Sequence, residues 1–216
     1  MIERIENDHE VLTLEMFNKS LNILWTKKGN KYDFLMRAGH DYKEALFSLF
    51  QKVWYEEQIP TGWTKTSIIQ IFKGKGDFQD QSSQRFIHTI EITPKVFSHI
   101  LVESTKDTLM KNMSKFQIGA KPGHRATEHI FVMKSLIQLY EYLEKPLIIN
   151  FFDYSTFFDS ESLQDVLNEL YKCQVKGKIY RLLYKLNQKS LIHVKTPVGA
   201  TTEEEREEGI SQGNRK

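Results

Sequence analysis

Residues 147–152 (LIINFF) constrain this chain more than any other stretch, an almost continuous apolar run closed by Pro146 on one side and Asp153 on the other. The run is far short of the ~20 residues that a membrane helix needs. Its isoleucines and phenylalanines favour extended backbone, so it reads as a strand buried on both faces. Such a strand cannot stand alone, because its amides need neighbouring strands and its faces need cover. The rest of the chain must supply a sheet and helices to pack on it.

The helices show as periodic apolar faces. Residues 11–25 (VLTLEMFNKSLNILW) and 43–58 (KEALFSLFQKVWYEEQ) space Leu, Phe and Trp three and four apart, as one helical face requires. Ile59-Pro60-Thr61-Gly62 stops the second of them. Residues 67–72 (SIIQIF) read as a short strand, followed by a tight basic turn at 73–77 (KGKGD). A helix is expected over 94–113, with Pro94 suited to its first turn. Residues 118–125 (IGAKPGHR) read as loop, and Thr127 as the N-cap of a helix over 128–144 that Pro146 ends. Ser160 is expected to cap a helix whose Leu163, Val166, Leu167 and Leu170 form one stripe. A last helix over 176–189 puts Ile179, Leu182, Leu183 and Leu186 on one face, and Lys178, Arg181, Lys185 and Lys189 on another as a basic ridge. Residues 191–197 and 205–211 are expected to pair as a hairpin. Helices and strands mix without a regular βαβ rhythm and without an internal repeat, so the expected fold class is α+β.

A chain of 216 residues, 40% hydrophobic and 27% charged, has the balance of one sizeable globular domain or two small ones. The single cysteine, Cys173, excludes an intramolecular disulfide framework and a multi-cysteine zinc site. The acidic, polar start MIERIENDHE resembles neither a secretory signal nor an Arg-rich transit peptide. The expectation is a soluble intracellular protein, of nucleus or cytoplasm, with no membrane partner.

Charge is uneven along the chain. Residues 64–125 carry 10 basic against 5 acidic side chains, a net of +5, and residues 171–195 carry 7 basic and no acidic ones. Between them, residues 126–170 carry 2 against 8, a net of −6. Basic stretches are the electrostatic footprint of a polyanion partner, because each phosphate neutralised releases counterions. Charge runs are also commonly solvated faces. Carboxylates bracketed by cations are nonetheless the pattern expected of a metal-dependent phosphoryl-transfer site.

Three segments carry the residues for that chemistry. The apolar strand would deliver Asp153 rigidly at its C-terminal edge, as a divalent-cation ligand requires, although Asp also ends strands and caps turns. In IFKGKGDFQDQSSQRFI, Lys73, Lys75 and Arg85 surround glycines that let backbone approach a phosphate; the plain alternative is a basic surface hairpin. In QIGAKPGHRATEHI, Lys121 and Arg125 precede a helix N-terminus, a position that favours anions. The seven histidines have no ligand spacing, and Ser155 has no evident His/Asp partners.

Taken in order, these segments resemble a reverse transcriptase of the non-LTR retrotransposon type. IPTGWTKTSIIQIFKGKGDFQDQSSQRFIHT (59–89) looks like that family's opening pattern of Pro, Trp, a strand, Lys-Gly-x-Gly-Asp and Arg-x-Ile. QIGAKPGHRATEHI (117–130) resembles its Gln-x-Gly-x-x-x-Gly-x-x-x-Thr segment. FFDYSTFFD (151–159) resembles motif A, and GISQG (209–213) the start of motif B. The resemblance spans residues 43 to 216.

It implies a polymerase-like right hand of fingers and incomplete palm, with no thumb. Residues 1–42 would be a helical extension, 43–146 the fingers-like region, and 147–216 a partial palm. Asp153 would be the catalytic metal-binding carboxylate, with the Tyr154 carbonyl as a further ligand. Phe158 would be the steric gate against a ribose 2′-hydroxyl. Lys73, Lys75 and Arg85 would meet triphosphate or template, and Gln212 and Gly213 the nascent pair. Lys121, Arg125, Lys178, Arg181, Lys185 and Lys189 would contact the nucleic-acid backbone.

The implied activity is RNA-templated DNA synthesis, with an RNA template, a DNA primer and deoxynucleotide triphosphates as partners. Two Mg²⁺ ions about 4 Å apart would drive the phosphoryl transfer. The family completes its metal site with an Asp-Asp pair in motif C, and no such pair follows Gln212-Gly213 before Lys216. The 216 residues are therefore expected to be inactive by themselves. Departures include Gln84-Arg85-Phe86-Ile87 where the family has Tyr-Arg-Pro-Ile. The other readings are a retroelement-derived, non-catalytic nucleic-acid-binding protein and an RNA-templated RNA polymerase palm.

Overall fold

The structure, a computed structural model, describes residues 11–28, 32–119, 121–154, 161–188, 190–196 and 199–205. Helices and a small mixed sheet make it an α+β protein. In chain order the described elements are α1 (Leu14–Lys28), α2 (Asp33–Arg37), α3 (His40–Glu56), β1 (Lys65–Phe72), β2 (Gln84–Thr89) and α4 (Ile92–Asn112). They continue with α5 (Ala126–Tyr142), α6 (Leu163–Lys172), α7 (Gly177–Asn187), β3 (Leu191–Thr196), β4 (Gly199–Ala200) and β5 (Glu204–Glu205). Two compact units result: the described residues of Met1–Leu109 with Thr156–Lys216, and those of Met110–Ser155.

The first unit is built around an aromatic centre. The faces read from apolar spacing bury Phe17, Leu21 and Leu24 of α1 with Leu46, Phe50, Val53 and Trp54 of α3. Val96, Phe97, Ile100 and Leu101 of α4 close over them, and Ile179 and Leu182 of α7 join the same cluster. Phe50 meets Phe17 at 5.8 Å, Trp63 at 5.7 Å and Phe97 at 5.4 Å between ring centroids, all edge-on. That geometry adds quadrupole attraction to the burial of four large rings. Pro94 sits in the first turn of α4, as expected, where its missing N–H costs nothing.

The sheet of this unit runs β2-β1-β3-β4, with β5 also on β3. β1 pairs β2 antiparallel across the 73–83 turn, and β3 parallel, with Ser67 opposite His193. The Ser67 hydroxyl and His193 Nε2 are 2.8 Å apart. β3 folds back on β4 and then β5: Lys195 faces Ala200, while Ile192 faces Glu204. Three steps along β3 thus match four along its partner, so residues 201–203 carry a bulge. Lys65 Nζ reaches across to Glu203 at 2.7 Å and fixes that bend to β1.

Four expectations are corrected. Residues 147–152 form no strand; they are unpaired among the described residues, with Ile148 85%, Phe151 80% and Phe152 87% exposed. Their unit holds no described strand for them to join, and strand preference without a neighbour leaves the amides to water. Thr127 lies inside α5, because Arg125 takes the cap position and the Glu128 carboxylate accepts its backbone N–H at 3.0 Å. α6 is capped by Ser162, whose hydroxyl accepts from the Gln164 N–H at 3.1 Å; Ser160 lies outside the described residues. Among the described residues the partners of β3 are 199–200 and 204–205, so pairing begins earlier than expected and Glu205 is the one residue of 205–211 seen to pair. Residues 206–211 lie outside the described residues.

The second unit contains α5 and the loops around it. α5 is apolar on most of its circumference, yet none of its residues is buried. It ends in a left-handed residue, Glu144 at φ 51°, with the Lys145 N–H donating to the Tyr140 carbonyl at 3.0 Å. That six-to-one bond is a Schellman ending, and Pro146 follows where a helix cannot continue.

Candidate nucleic-acid interface

The β1–β2 ribbon carries the best-organised group of the expected residues. Past Phe72 the ladder continues with the Lys73 N–H donating to the Ser83 carbonyl at 2.9 Å. The turn is then set residue by residue. Gly74 and Gly76 take φ of 75° and 88°, and a Cβ on Gly76 would collide with the Ser83 hydroxyl. The Asp77 carboxylate accepts from the Gln79 N–H at 2.9 Å, and Asp80 from the N–H and the hydroxyl of Ser82. Those bonds from Ser82, with the charge of Lys73 behind them, hold the Asp80 carboxyl below its usual range.

In this turn Lys73 and Lys75 are exposed, as is Arg85 just past it in β2. Lys73 Nζ donates to the Ser82 carbonyl at 2.7 Å, so it also staples the turn. The side chains of Lys75 and Arg85 make no hydrogen bond or ion pair among the described residues. The same turn carries Phe78, 71% exposed, its ring 5.5 Å from that of Phe72. A solvent-facing aromatic on a hairpin that also carries exposed cations is a combination that can stack a base while the cations screen its phosphate. Sequence reasoning missed Phe78. The signal was present as an aromatic directly after Gly-x-Gly-Asp, in a turn with no interior to bury it.

The basic ridge of α7 is turned partly inward. Arg181 Nε and Nη2 donate to the two Glu57 oxygens at 2.8 and 2.7 Å, and Lys185 Nζ donates to the Glu57 carbonyl oxygen at 2.9 Å. The Arg181 hydrogen bonds, with the charges of Arg181, Lys185 and Lys178, pull the Glu57 carboxyl below the ordinary carboxylate range against the opposing effect of burial. These two cations therefore pin the end of α3 to α7, and only their outward atoms are left for a phosphate. Lys189 lies outside the described residues.

The start of α5 is similarly self-satisfied. Arg125 is exposed at the cap and Lys121 half-buried in the preceding loop. The anion position at that helix end is held by Glu128, which also lies 2.8 Å from His124 Nδ1. The His124 bond and then the Arg125 N–H lower the Glu128 carboxyl.

Asp153 and Tyr154 are exposed and belong to the unit of residues 110–155, whereas the hairpin cations belong to the other. Phe158, Gln212 and Gly213 lie outside the described residues. No group of three or more His, Cys, Asp or Glu side chains able to hold a metal is assembled among the described residues. Asp153 offers one carboxylate, and octahedral Mg²⁺ held by protein calls for further oxygen ligands. The described donor set does not fit a complete magnesium site. Among the described residues no helix is long and apolar enough to cross a membrane. No family model matches the sequence.

Proposed function

We propose that this chain is the fingers and first part of the palm of a reverse transcriptase of the non-LTR retrotransposon type. On this reading it holds an RNA template and DNA primer through its basic hairpin. The observation that carries the reading is the hairpin, where Lys75 and Phe78 project from a turn fixed by two glycines and two aspartates and Arg85 stands exposed at the start of β2. The four ordered motifs support the same reading, and so does the electropositive run around the hairpin. Mg²⁺ would supply charge stabilisation for phosphoryl transfer in the intact family, and Asp153 with the Tyr154 carbonyl is the part of that site this chain brings. A triphosphate would approach Lys73, Lys75 and Arg85.

The 216 residues alone bind nucleic acid without copying it, because one carboxylate leaves the metals under-ligated. Primer extension on an RNA template with Mg²⁺, comparing the chain with Asp153→Asn, tests this. The expected result is no extension by either protein and equal hybrid binding by both. Extension that Asp153→Asn abolishes would overturn it. A second reading, a retroelement-derived protein that only binds, is favoured by the lack, among the described residues, of any group of three or more His, Cys, Asp or Glu side chains able to hold a metal. It differs in predicting that adding the missing carboxylate pair in a longer chain restores nothing.

A further inference from the structure

Residues 145–153 (KPLIINFFD) leave the end of α5 with no strand pairing among the described residues, and Ile148, Ile149, Phe151 and Phe152 face solvent. We propose that this segment is an interaction surface for a second copy of the same chain, paired antiparallel about a twofold axis through Ile149. The central six residues carry no charge, no proline and no glycine, and are rich in β-branched and aromatic types. Alternation puts Lys145, Leu147, Ile149, Phe151 and Asp153 on one face of the strand.

Turning that face end for end sets Leu147 against Phe151, Ile149 against its own copy, and Lys145 against Asp153 at both ends. A slip of one residue puts Ile149 on Asn150 and Asp153 on Pro146. A slip of two puts Leu147 on Asp153. Parallel pairing stacks Lys145 on Lys145 and Asp153 on Asp153, with like charges opposed. Charge complementarity thus selects one register and one direction.

The pairing is isologous, so it closes at two copies, and the charges at its ends disfavour further strand addition. A two-stranded ribbon needs apolar cover, and α5 just upstream presents Phe131, Val132 and Leu139 with none of its residues buried. None of this rests on the polymerase reading.

Sedimentation velocity on the full chain over a concentration series tests it. The expected result is a monomer–dimer equilibrium that Ile149→Lys abolishes, with far-UV circular dichroism unchanged because Ile149 lies outside the core. Lys145→Glu and Asp153→Lys should each weaken dimerisation roughly threefold to tenfold, and the double reversal should restore it. In a Cys173→Ser background, mild oxidation should link copies of Ile149→Cys but not of Asn150→Cys. A monomer at every concentration would overturn the proposal. So would open-ended aggregation, indifference to charge reversal, or equal cross-linking at both positions.

Discussion

Glu57 ends α3 at φ 53°, in the left-handed region where glycine is strained least, yet the position carries a long acidic side chain. Its company accounts for this: the Arg181 fork holds its carboxylate, and Lys185 holds its carbonyl. Glu57→Gln is expected to destabilise the fold by about 1 kcal/mol, since the pair is partly solvated. Chemical denaturation at neutral pH measures that loss. Because the folded carboxyl sits below its ordinary value of 4.5, its contribution is present above that pH and is lost as pH falls through the folded value. The stability gap between Glu57→Gln and the parent should therefore close on acidification below 4.5 and stay constant at higher pH. Gly76 poses the opposite case, a φ of 88° with no room for a methyl group. Gly76→Ala should cost roughly 1–2 kcal/mol and loosen the hairpin, seen as faster amide exchange at Lys73 and Ser83.

Among the elements, the helices were legible because each states its own face. Leu, Phe and Trp at three- and four-residue spacing marked α1 and α3, and Ile and Leu marked α7; Phe17, Leu21, Leu24, Leu46, Phe50, Trp54, Ile179 and Leu182 among them fill the core, while Leu14, Trp25 and Leu49 stay exposed. Phe97 of α4 touches Phe50, Trp54 and Trp63 together, so Phe97→Ala should cost about 3–5 kcal/mol, measurable as a lowered denaturation midpoint. The sheet was only half legible. β1 showed in the apolar run SIIQIF and the turn after it, but its parallel partner β3 lies 126 residues away at the Ser67–His193 contact, and no local pattern specifies so distant a pairing. Residues 147–152 mark the limit most clearly, since composition gives strand preference while burial depends on a neighbour. For the candidate site, Lys75 and Arg85 were legible from charge and glycine spacing. Phe78 and the diversion of Arg181 and Lys185 to Glu57 were not, because both follow from the folded contacts. If the hairpin tip holds nucleic acid, Lys75→Ala and Arg85→Ala should each reduce the salt slope of binding by about 1, and Phe78→Ala should weaken single-strand binding by ~1–3 kcal/mol. Anisotropy titrations at several salt concentrations measure both effects.

On the scale of the whole molecule, a net charge of only +2 conceals basic and acidic stretches that follow one another along the chain. Non-specific affinity for a polyanion depends on the local field and not on the sum. In the first unit Arg181 and Lys185 are engaged with Glu57 and Lys65 with Glu203, whereas Lys75 and Arg85 of the hairpin are exposed. The proposal that this hairpin is a nucleic-acid-binding surface is tested most directly by titration of the full chain into an RNA–DNA hybrid at low salt, beside the Lys75→Glu/Arg85→Glu variant. Hybrid binding should weaken steeply as salt rises and be largely lost in the double reversal, with circular dichroism unchanged. Absence of binding at low salt, or binding that the double reversal leaves intact, would contradict it.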